Sequence, residues 1–219
     1  MKHRPHITRS ELLLAQLALY IAISLQLSTW LISGNLNYGP HPLIIISEVA
    51  LAVIIGFSAR KPRLLSRTIY RSLSFALLGL ISIENVSAIA VVTNLLIIQS
   101  DFVTGYDLLA SAIAIFLTNI IVFSLWYWEI DSPGLSGRKW SRHDKDFQFT
   151  QQDMRKDFPK WQPSYPDYLY LSITNAINFA AADTKPLTLQ AKALMASQAL
   201  VSVFTLALVV ARSVSILGQ

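Results

Sequence analysis

A charge-free run of 19 residues at 193–211 is long enough to cross a bilayer as one helix. A second apolar run at 168–177 precedes it and is too short to cross. Between them lie a polar and small-residue turn, beginning at Asn178 and ending at Thr184, and Pro186. Short helix, non-helical turn and full span together describe a re-entrant loop. Backbone outside a helix is tolerated at membrane depth only where protein buries it or a wet cavity receives it. This order therefore restricts the chain to membrane folds in which the turn lines protein or water.

The remainder agrees. Of 219 residues, 53% are hydrophobic and 14% charged, and the charges fall between long apolar runs, as in a polytopic membrane protein. The net charge of +5 then reads as a topology signal, not as affinity for nucleic acid. With no cysteine there is no thiolate metal site, disulfide or cysteine nucleophile.

The first charge-free run, 12–33, follows Lys2, Arg4 and Arg9. Its 22 residues exceed a secretory h-region and no clear small-x-small site follows, so it is expected to be an uncleaved span. A second span, 42–58, carries Glu48, which is expected nearer the interface. The segment 59–71 holds five basic residues and no acid and reads as a cytoplasmic anchor. The third run, 72–98, has Glu84 and Asn85 at its centre; no proline interrupts it, so one tilted helix is expected. The fourth, 108–128, ends in Trp126, Tyr127 and Trp128, the pattern of an interfacial aromatic belt. Residues 129–165 are polar with scattered aromatics and several prolines and glycines, which disfavours one continuous helix. Ser164, Pro166 and Asp167 then supply a cap, a first-turn proline and an acid at the positive dipole end of the short helix.

The segment from this helix onward resembles the pore domain of the potassium-channel superfamily. Ser172, Ile173, Thr174 and Asn175 stand where the pore helix ends, and Asn178, Phe179, Ala180, Ala181, Ala182 and Asp183 stand where the filter runs. Pro186, Leu187 and Thr188 match the opening of the inner helix. The resemblance covers about a fifth of the chain. It implies a homotetramer around one axis, with monovalent cations as the conducted species and the lipid bilayer as partner. A potassium filter needs glycines that accept left-handed backbone angles. Alanines at 180 and 182 would each cost roughly 1–2 kcal/mol there, so strict potassium selectivity is not expected.

Orientation follows from charge. With the N-terminus cytoplasmic and five spans, 17 of 18 Lys and Arg residues face the cytoplasm and only Arg212 lies outside. The loop would then enter from the cytoplasm, the reverse of a potassium channel and the sense that ionotropic glutamate receptors resemble.

The sequence thus points to an all-α integral membrane protein of the cell membrane, with five transmembrane helices plus one re-entrant pore helix before the last span. Residues 1–106 form an N-terminal region of three helices and 107–219 the pore-like region. The expected function is an ion-channel-like pore, cation-conducting; the alternative is a non-conducting scaffold or partner subunit retaining the fold. Candidate residues are the pore-helix end, Thr174 and Asn175, and the turn from Asn178 through Asp183, whose acid could form a ring that concentrates cations. Glu84 is the costly acid, about 2.5–3.5 kcal/mol at bilayer centre on insertion scales, and is expected to be neutral or paired with a polar group. No enzyme constellation, cofactor motif or metal-ligand spacing occurs around His3, His6, His41 or His143.

Overall fold

The chain was analysed as a computed structural model, which describes residues 9–33, 41–60, 67–98, 104–131, 145–179 and 183–217. Five long helices dominate: α1 (Arg9–Ser33), α2 (His41–Arg60), α3 (Arg67–Ile98), α4 (Gly105–Asp131) and α7 (Leu189–Leu217). Between the last two lie β1 (Phe147–Phe149), α5 (Thr150–Asp153), α6 (Tyr165–Asn178) and β2 (Thr184–Pro186). Among the described residues, four stretches are long and apolar enough to cross a membrane: Ser10–Leu31, Ile69–Leu95, Gly105–Asp131 and Leu189–Ala211. In α2 the apolar stretch is the shorter Leu43–Phe57. The protein is a helical membrane protein.

Side-chain bonds tie neighbouring long helices together, and α3 turns back along α2. The Tyr70 hydroxyl at the start of α3 donates to the Ile55 carbonyl near the end of α2 at 3.2 Å. Gln26, late in α1, donates from Nε2 to the Ile81 carbonyl of α3 at 3.0 Å. Central to the bundle is α4, which packs against α1, α3, α6 and α7. The main core draws on every long helix as well as β1 and α6, through residues such as Leu19, Ile55, Leu77, Leu125, Phe147 and Met195. A smaller cluster of Val92, Leu95, Leu108 and Ile115 fills the opposite end. Large apolar side chains also cover the outside, among them Leu17, Ile46, Phe57, Ile83, Leu200 and Phe204. Such a surface is unfavourable in water and ordinary in lipid.

Helix starts follow local chemistry. Thr104 donates through its amide (3.1 Å) and hydroxyl (2.7 Å) to the Asp107 carboxylate, which opens α4. Ser164 makes the same two bonds to Asp167 at 2.8 and 2.7 Å and opens α6, with Pro166 in the first turn. The Thr188 hydroxyl accepts from the Ala191 amide at 3.2 Å and opens α7. Each is a side chain satisfying orphan donors at a helix start.

Three expectations change. The third run is one unbroken helix, as expected, but α3 is 32 residues long and begins at Arg67. Within a mostly helical chain, residues 147–149 and 184–186 form a two-stranded antiparallel pair, with Phe147 opposite Pro186 and Phe149 opposite Thr184. The expected aromatic belt is mostly interior: Tyr127 and Trp128 are buried because α6 and β1 cover this end of α4.

Candidate functional site

The short helix α6 begins at Tyr165, three residues before the apolar run that marks it in the sequence. One face rests in the angle between α4 and α7. From its first turn, Tyr165 places its hydroxyl 3.0 Å from Ser124 Oγ and its ring against Trp128. Three residues on, the Tyr168 hydroxyl donates to Asp131 at 2.6 Å.

The second half of α6 carries a buried amide network. Ser172 donates to the Ile120 carbonyl at 2.6 Å and accepts from Gln198 Nε2 at 2.6 Å. Asn175 Nδ2 lies 2.9 Å from Gln198 Oε1, 3.0 Å from the Met195 carbonyl and 3.3 Å from the Tyr127 hydroxyl. Tyr127 in turn donates to Gln198 Oε1 at 2.5 Å. Ser172, Asn175, Tyr127 and Gln198 are all buried. In apolar surroundings each unmade bond is costly, so this network fixes the rotation and height of α6 against both long helices. These contacts fall within residues 120–131 of α4 and 195–198 of α7, so α6 occupies only one end of the bundle.

Beyond the network, α6 becomes exposed. Tyr170, Ile173 and Ile177 form an outward apolar face, and Asn178 and Phe179 are exposed at its end. Phe179 closes the helix in the left-handed conformation, φ 55°. The last carbonyls of α6, with the negative end of its dipole, adjoin the following turn. Ala180, Ala181 and Ala182 lie outside the described residues. The chain returns at Asp183, whose carbonyl accepts from Thr150 Oγ1 at 2.8 Å while its side chain is exposed, 3.4 Å from the Tyr170 hydroxyl.

The return is clamped by two acids. Asp131, at the end of α4, accepts from the amides of Asp146 (2.6 Å) and Phe147 (3.0 Å). Asp146 accepts from the Thr188 hydroxyl with its carboxylate and from the Leu187 amide with its carbonyl, at 2.8 Å. Aromatic rings fill the space around this clamp: Phe147 against Tyr127 at 5.2 Å and Phe149 against Tyr168 at 5.3 Å and Trp161 at 5.6 Å.

Of the residues singled out in the sequence, the structure therefore gathers Thr174, Asn175, Asn178, Phe179 and Asp183 at one end of the bundle. Asn175 is turned inward as a brace, and Thr174 bonds back to the Tyr170 and Leu171 carbonyls at 3.1 and 3.0 Å. Glu84 is elsewhere, buried near the middle of α3. Glu48 on α2 is fully enclosed by protein and within electrostatic reach of Glu84. The partners of Asn175 went unnoticed in the sequence. Gln198, an amide inside a charge-free run, was the available signal, as was Asp131 just past the aromatic triplet. Among the described residues, no three His, Cys, Asp or Glu side chains are close enough to hold a metal ion. No family model, curated protein or solved structure matches the chain.

Proposed function

We propose that the protein is an ion-channel-like membrane pore, cation-conducting and not strictly potassium-selective, in which α6 is a half-penetrating pore helix. The observation that carries this reading is the seat of α6: a short helix locked by the Ser172–Asn175–Gln198 network between the two helices that flank it in sequence. A pore helix has to be held this firmly if its C-terminal carbonyls are to face a common axis. Five helices cross the membrane, α2 being the thinnest crossing, and α6 enters from the side where α4 ends. That side is the cytoplasm of a cell membrane, because the basic segments collect there. Four copies complete the pore, with Asp183 at its mouth. Purified protein in a planar bilayer tests this directly. Reproducible single-channel steps with a cationic reversal potential are the expected outcome.

A second reading draws on the apolar face of α6, where Tyr170, Ile173 and Ile177 are exposed. A scaffold or partner subunit would use that face to dock another membrane protein and would be silent in the bilayer.

A further inference from the structure

Between β1 and α6 the chain runs at the level where the spans end. Asp131, which closes α4, accepts from the Asp146 and Phe147 amides, and Asp146 accepts from Thr188 just ahead of α7. The apolar stretches of these two helices stop at Asp131 and start at Leu189. Residues 147–161 are therefore fastened close to the height at which hydrocarbon gives way to headgroups. Phe149 packs on Trp161 at 5.6 Å and on Tyr168 at 5.3 Å, which closes 149–161 into a loop held against the bundle.

The outer side of this loop is mixed in character. Its backbone folds into turns: the Phe158 amide donates to the Met154 carbonyl at 3.0 Å and the Trp161 amide to the Phe158 carbonyl at 3.3 Å. Met154 and Phe158 thus lie one turn apart, and both are exposed, 46% and 44%. Arg155, Lys156 and Lys160 are exposed in the same stretch, against one exposed acid, Asp157. Two large apolar side chains beside three cations are poorly suited to water. They suit the headgroup layer, where apolar groups dip inward and long basic side chains reach phosphate.

We propose that residues 154–161 form a docking surface for anionic phospholipid headgroups of the leaflet at this end of the bundle. Met154 and Phe158 enter the acyl boundary, while Arg155, Lys156 and Lys160 meet lipid phosphates and the negative surface around them. Three cations less one acid give 154–161 a net charge of +2, which supplies the complementarity. Lys185 on β2 and Lys192 early in α7 are exposed at the same end and extend the positive surface. A soluble protein is the other occupant that such a surface would take, and the height of the loop at the span ends favours lipid. Lipid held here steadies the loop, and through Asp131 and Asp146 the ends of α4 and α7. The surface does not depend on whether α6 lines a pore.

The chain has no cysteine, so a single one can carry a probe. Phe158→Cys is labelled with nitrobenzoxadiazole, whose ring takes the place of the phenyl group, and the full chain is reconstituted in phosphatidylcholine nanodiscs. Phosphatidylglycerol or phosphatidylcholine bearing the same nitroxide high on one acyl chain is then added at equal mole fraction. Both lipids should quench the label, phosphatidylglycerol about threefold more at low salt, and the difference should fade at high salt. Replacing Arg155, Lys156 and Lys160 by glutamine should remove the preference and leave quenching by phosphatidylcholine. The same label in Phe204→Cys, exposed midway along α7, should be quenched equally by both lipids with or without the glutamines, which verifies insertion. A label at 158 that neither lipid quenches puts the loop in water, where a protein would be its partner, and overturns the proposal. Equal quenching at low salt, or a preference that survives the triple replacement, overturns it as well. Should the triple variant fail to accumulate, the salt dependence of the preference decides alone.

Discussion

Asn175 on α6 and Gln198 on α7 meet at 2.9 Å in a buried site where Tyr127 of α4 also reaches the same Gln198 oxygen. Three helices thus share one acceptor. Interhelical hydrogen bonds within membranes average about 0.6 kcal/mol each, and the two N–H bonds of the Asn175 amide are shared among three nearby acceptors, so Asn175→Ala should destabilise the protein by about 1 kcal/mol. Reversible unfolding in mixed micelles measures this. A loss below a few tenths of a kcal/mol would show that α6 is held by packing alone.

The capping chemistry of α6 was legible from Ser164, Pro166 and Asp167, because caps act within one turn and need no tertiary context. The existence of the long helices was legible because an apolar run in a membrane chain has few alternatives to a helix, but their ends were not: α3 begins at Arg67, five residues before its apolar run. Asn175 was legible only by position. Its partners come from residues 48 and 23 positions away, and no local pattern announces that Tyr127 and Gln198 will meet there. The β1–β2 pair was hidden in the same way, since three-residue strands carry too little periodicity to read. The enclosure of Glu48 by other helices was not legible, because position along one helix does not reveal which neighbours surround it.

Asp131 predicts a local effect. Its carboxylate accepts from Tyr168, Asp146 and Phe147 together, tying α4 to α6 and β1. Asparagine at this position keeps one acceptor oxygen and turns an N–H₂ group toward donors. Opening of residues 145–164 should become about 2 kcal/mol easier. Arg155 and Lys156 are exposed on this segment. Trypsin should therefore cut Asp131→Asn there roughly 10- to 50-fold faster than the parent protein, if cleavage follows the open population. Equal rates would mean that the aromatic contacts hold the clamp without the acid.

Topology gives a third prediction. The start of α3, the end of α4 and the start of α7 lie together, so Arg71, Lys145, Arg155, Lys156, Lys160, Lys185 and Lys192 gather at one end of the bundle. Cytoplasmic loops retain such excesses of Lys and Arg. A reporter fused after residue 219 should be active only on the non-cytoplasmic side, and one inserted between α2 and α3 only in the cytoplasm. The opposite result for both would invert the proposed pore.

Asp183 carries the functional prediction. Its carbonyl is anchored by Thr150 and its carboxylate is left exposed just beyond the end of α6. In a fourfold assembly that geometry sets four carboxylates around the mouth, beside four helix ends that already favour cations. Asp183→Asn removes the ring without disturbing the backbone anchor. Cation current should then fall more at low salt than at high salt, because the Debye length shrinks from about 30 Å at 0.01 M to about 3 Å at 1 M and screening already suppresses the ring's field. Single-channel conductance of parent and variant across that salt range is the measurement. A loss that does not depend on salt would assign Asp183 a structural part in the turn, and anion permeation through the parent protein would remove the basis for a cation pore.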